Sequence, residues 1–137
     1  MDRSLAAPPP VPWRRHTLRV LHHASALVPL AAVATLYAFS WLVALRIGHW
    51  PRPWVDDPKS VAPGCGACDA LHGLVLHFLG WSVLGLFFFP VLSVALRRAC
   101  ARGRLTLLAL AFVAGWAMLI ADLLFGLPGD RLLWYID

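Results

Sequence analysis

The sequence predicts an all-α membrane protein of three transmembrane helices, and three observations carry that prediction. Hydrophobic residues make up 60% of the chain and charged ones 14%, with a mean hydropathy of +0.69, where a soluble domain is about 45–50% apolar and about 25% charged. Apolar runs at 24–45, 70–96 and 105–127 are each long enough to cross roughly 30 Å of hydrocarbon at about 1.5 Å per residue. The basic residues behind the net charge of +5 sit beside these runs, not on a polar module of the kind that binds nucleic acid. One small helical unit fits in 137 residues, and a large catalytic domain does not.

Residues 1–23 are predicted as a cytoplasmic tail. Its prolines between 6 and 12 remove amide donors and restrict their neighbours, which disfavours helix. From Trp13 to His23, Leu18, Val20 and Leu21 alternate with Arg14, Arg15, His16 and Arg19. That pattern suits a short helix at the headgroup level, where arginine meets anionic lipid.

The first span, 24–45, holds no charge. Pro29 falls in its first turns, where a missing amide costs least. A secretory signal cleaved after Ala32-Val33-Ala34 is the rival reading, but the apolar run continues past Ala34 to Leu45, beyond an ordinary signal core. A long loop follows at 46–69, with four prolines, three glycines and three aspartates. Trp50 and Trp54 in it resemble an interfacial aromatic belt. The second span, 70–96, is interrupted by His72 and His77, and Pro90 is expected to kink it. A basic connector, 97–104, leads to the third span, 105–127, whose one charge is Asp122. The tail at 128–137 is too short to cross again.

Orientation follows from lysine and arginine being retained on the cytoplasmic side. Arg3, Arg14, Arg15, Arg19, Arg97, Arg98, Arg102 and Arg104 share one side, against Arg46, Arg52, Lys59 and Arg131 on the other. The amino terminus and connector are therefore expected in the cytoplasm, and the long loop and carboxyl tail outside.

Two groups of residues stand out as candidate sites. Cys65-Gly66-Ala67-Cys68 lies in the expected oxidising compartment, where a disulfide is the plain reading. Redox exchange is a second reading, since a thiol at the start of a helix is acidified by the exposed amides; no second outer cysteine pair accompanies it, because Cys100 falls in the connector. A third reading adds His72 and His49 to the two thiolates as a zinc or copper site. Haem attachment is excluded, because Asp69 stands where C-x-x-C-H requires histidine. Asp69 is better suited to cap the second helix.

The second group is intramembrane. His77 shares a helical stripe with Gly73, Gly80 and Leu84, and Asp122 with Ala111 and Gly115, at closely matched depths. An ionisable group at such depth is costly and normally faces protein or water, and small residues mark helix contacts. The second and third helices are thus expected to pack antiparallel, with His77 and Asp122 paired as a clamp or as one step of a proton or cation path. His22 and His23 at the cytoplasmic end of the first span read as interfacial polar residues, not ligands.

The loop segment Gly48-His49-Trp50-Pro51, followed by Asp57-Pro58-Lys59, resembles a loop of small uncharacterised bacterial multipass membrane proteins. The resemblance covers about a dozen positions and implies a bacterial inner membrane but no activity. With no catalytic constellation and no identifiable cofactor, the sequence points to an accessory subunit or structural interaction protein of the bilayer, as a homo-oligomer or within a larger complex. The alternative is an extracytoplasmic thiol-redox or metal-binding membrane protein built on the C-x-x-C loop.

Overall fold

A computed structural model describes residues 12–52, 55–56, 65–97, 101–125 and 131–136. The proline-rich segment before Pro12, Trp54, the Asp57-Pro58-Lys59 part of the loop, and Arg98 and Cys100 of the connector lie outside the described residues. Among those described, the elements in order are the helices α1 (Pro12–Ile47), α2 (Gly66–Leu96), α3 (Arg102–Phe125) and α4 (Arg131–Ile136). Three of them are long and apolar enough to cross a membrane, with apolar stretches of mean hydropathy 1.9 within His16–Ile47, 2.0 within Gly66–Leu96 and 2.2 within Arg102–Phe125. The chain therefore has the helices of a multipass membrane protein.

Local chemistry sets the helix ends. Pro12 opens α1, where its fixed φ suits the first turn. Gly48 closes it with φ of 79°, and its amide donates to the Ala44 carbonyl at 3.0 Å, an arrangement for which only glycine avoids a Cβ penalty. The segment expected to form a separate interfacial helix is continuous with the first span instead. The resulting 36 residues measure about 54 Å at 1.5 Å each, so α1 either tilts or projects beyond the hydrocarbon. At the start of α2 the cap is Cys65, whose Sγ accepts the amide of Cys68 at 3.2 Å. Asp69 is not the cap; it sits in the first turn, where its charge still favours the helix dipole.

Helix α1 is the centre of the bundle. Its buried residues His22, Pro29, Leu36 and Val43 recur every seven positions, flanked by Ala26, Val33 and Ser40 and by Ala32 and Phe39. So broad a stripe serves two neighbours at once: 44% of its apolar window is buried, against 22% for α2 and 28% for α3. Helix α2 answers with Cys68, Val75, Ser82, Phe89 and Leu96, again seven apart, plus Gly85 and Leu92. A seven-residue repeat keeps one seam facing its partner when helices wrap with a left-handed twist. Helix α3 uses Leu108, Phe112, Gly115, Leu119 and Asp122.

The neighbour relations correct one expectation. α1 packs along both α2 and α3, and α2 and α3 share no extended interface with each other. Gly115, expected to receive α2, lies against α1: a Cβ there would come within 2.7 Å of the Pro29 Cβ and 2.8 Å of the Leu30 nitrogen. Gly73 and Gly80, expected to receive α3, have nothing within 4 Å of an added Cβ. A short connector makes two helices sequential; the wider apolar stripe on α1 decides which of them pack.

Candidate functional site

At the end of the bundle where α2 begins, α4 packs against α1 and α3 and reaches α2 through Tyr135. Leu132 and Tyr135, three residues apart on one face, are buried in the cluster formed by Leu36, Phe39, Val43, Cys68, Val75 and Leu119. Six residues cannot hold a helix unaided, and two polar contacts fix this one. The Asp122 carboxylate accepts the backbone amide of Leu132, satisfying an otherwise orphaned donor at the helix start. The Tyr135 hydroxyl donates to the His72 carbonyl at 3.1 Å. The tyrosine ring also meets Phe39 edge-on at 5.9 Å and lies 5.3 Å from the His72 ring. Burial pushes the Tyr135 phenol from 10.0 up to about 12, because its ionised form would lose solvation.

Asp122 and His77 are therefore not a pair. Asp122 is buried on α3 and serves α4. His77 is exposed on the outer surface of α2 and donates its Nδ1–H to the Gly73 carbonyl at 2.9 Å. In the neutral ring this leaves Nε2 as an acceptor directed away from the bundle. Helices α2 and α3 share no extended interface, so a similar depth expected for the two residues does not bring them into contact.

The four candidate metal ligands are not gathered either. Among the described residues, no group of three or more histidine, cysteine or acidic side chains is placed to hold a metal ion. His49 sits in an exposed turn, donating to its neighbour's Trp50 carbonyl at 2.9 Å and lying 3.8 Å from Asp56. Asp56 in turn accepts the Arg52 amide at 2.9 Å. The His72 ring is taken up by Phe39 and Tyr135. Cys65 and Cys68 are joined to each other, with Cα atoms 5.2 Å apart, inside the range a disulfide allows. Cys68 is buried against the core and Cys65 is partly exposed.

The comparisons with known proteins fall silent at this point. No family model, no characterised protein and no solved structure matches the chain.

The opposite end of the bundle holds a polar cluster that sequence reasoning assigned to the interface. His22 is buried, stacks on Phe89 at 5.0 Å, and Phe89 stacks on Phe112 at 4.5 Å, so one aromatic column ties α1, α2 and α3 together. Ser93 gives its hydroxyl proton to the Phe89 carbonyl at 2.7 Å, so in the contact of 2.9 Å the His22 Nε2–H must be the donor to Ser93. The His22 Nδ1 is left buried without a partner. The signal that could have revealed His22 was its place in the seven-residue series with Pro29, Leu36 and Val43; α4 had only the apolar character of Leu132 and Tyr135 to betray it.

Proposed function

We propose that this chain is a non-enzymatic subunit of a membrane assembly, working through contacts between its own helices and those of a second copy or a larger complex. The observation that supports the reading is the outward face of α2. There His77, Gly80, Trp81 and Leu84 are exposed and, with Leu76, line a groove of about 400 Å³, one turn from the half-buried Gly73. An imidazole at membrane depth is costly against lipid, and a helix seated on this face would supply the donor that His77 Nε2 lacks. The open positions at Gly73 and Gly80 would let its backbone approach closely. The bilayer is a bacterial inner membrane in this reading, with the amino terminus cytoplasmic and the carboxyl terminus outside.

A photo-crosslinking amino acid placed at Leu84 in the full-length chain tests the proposal in native membranes. A defined adduct should form, and His77→Leu should reduce it. Capture of lipid alone, with the chain monomeric at every expression level, would sink the reading.

A second reading is thiol exchange, favoured by one observation: the more exposed sulfur, Cys65, is also the helix cap, and its partner Cys68 is buried. An incoming thiolate would attack Cys65 Sγ, break the Sγ–Sγ bond and release Cys68 as the leaving thiolate. Mixed-disulfide trapping with Cys68→Ser distinguishes the two readings: recovery of a substrate protein on Cys65 supports exchange, and its absence leaves a structural bridge.

A further inference from the structure

Where the chain passes from α2 to α3, Arg97, Arg102, Leu105 and Thr106 line a pocket of about 560 Å³, within the span of about 300–1,000 Å³ that ligand sites occupy. The backbone on both sides is fixed: the Arg97 amide donates to the Val94 carbonyl at 3.2 Å, and the Thr106 hydroxyl donates to the Arg102 carbonyl at 3.0 Å. Among the described residues, neither guanidinium is in an ion pair. The sequence holds no acidic residue between Asp69 and Asp122. Depth points to the occupant. Arg97 directly follows the last residue of the α2 span and Arg102 opens the α3 span, so the pocket lies at the level of lipid headgroups, with Leu105 as its apolar wall.

We propose that this pocket binds the phosphate of an anionic phospholipid headgroup between Arg97 and Arg102. Each guanidinium presents a planar fork of N–H donors that matches two non-bridging phosphate oxygens, which a single ammonium does not. The amino-terminal dipole of α3, which starts at Arg102, adds to the attraction. The site is independent of the α2 face on which the proposed function rests.

The full-length chain in phosphatidylcholine nanodiscs, titrated with spin-labelled phosphatidylglycerol, provides the test. Saturable binding is expected, weakened at least about tenfold by R97Q/R102Q. R97K/R102K, which keeps both charges but not the forks, should fall between the two, and it serves as well if the glutamine variant folds poorly. Arg104 is exposed at the same end and does not line the pocket; R104Q should bind within about twofold of wild type, since one surface charge contributes little. Equal loss in R104Q and R97Q/R102Q would reduce the effect to general surface charge and overturn the site. Displacement of the lipid by inorganic phosphate at comparable concentration would overturn the lipid assignment in favour of a free phosphate.

Discussion

Gly115 of α3 rests on Pro29 of α1 so closely that a single added methyl would overlap both the proline ring and the backbone beside it, at 2.7 Å from Pro29 Cβ and 2.9 Å from Pro29 carbonyl carbon. Pro29 has no amide to donate within α1, and the absence of a side chain on Gly115 lets α3 approach the helix at that point. Gly115→Ala should therefore destabilise the bundle by about 1–3 kcal/mol, as overpacking does, read as earlier unfolding in detergent. Gly80→Ala should leave the monomer's stability unchanged or improved, because its Cβ enters open space, yet it should weaken the crosslink expected through Leu84. An equal loss of stability in both variants would contradict this packing.

The Asp122 contact with Leu132 makes the carboxylate a clasp for α4. Asp122→Asn keeps an oxygen acceptor and should be mild. Asp122→Leu leaves the Leu132 amide unsatisfied, at a cost of about 1–3 kcal/mol, and should release α4 without unfolding the three long helices. Hydrogen exchange resolved along the chain would show protection lost at 131–136 and kept in α1; protection unchanged at 131–136 would remove Asp122 from this role.

Tyr135 gives the docking of α4 an alkaline limit. Its phenol ionises near 10.0 when α4 is free and at about 12 when docked, so the docked state holds its proton more tightly. Its contribution is complete below pH 10 and is lost as pH rises toward 12. Protease sensitivity near 131–136 should be flat below pH 10 and climb above it in wild type. Tyr135→Phe should lose the hydrogen bond to His72 and show no such climb of its own.

The orientation inferred from the arginines has its own check. A reporter active only outside the cytoplasm should work after Asp137 and fail when inserted near Gly103. The reverse pattern would place the arginine pocket on the outer leaflet.

Much of the architecture was legible from composition because a bilayer penalises every unpaired backbone group and every charge. The apolar runs therefore mark the three long helices, although the helices extend into the breaks expected at 46–69 and 97–104, to Ile47, from Gly66 and from Arg102. Helix ends were less legible: the arginines at 14, 15 and 19 suggested a separate segment before the first span, although the helix runs unbroken from Pro12 to Ile47 and passes through Pro29.

Which side chains meet was not in the sequence. Stripes of small residues on α2 and α3 look equivalent from periodicity, and only the packing shows that Gly115 is occupied by α1 and Gly80 is open. Counting along the runs places His77 and Asp122 at similar expected depths, but partners are set by the direction each helix turns its face, and the broad stripe on α1 turns both neighbours toward itself. The six residues of α4 were too few to register as an element; they are a helix because Asp122, His72 and Phe39 converge on Leu132 and Tyr135. The sequence by itself determined what must lie in the membrane, since that depends on the sum of residue hydrophobicities. The tertiary structure alone decided contacts such as Asp122 with Leu132 and His22 with Ser93, since those depend on the rotation and separation of helices far apart in the chain.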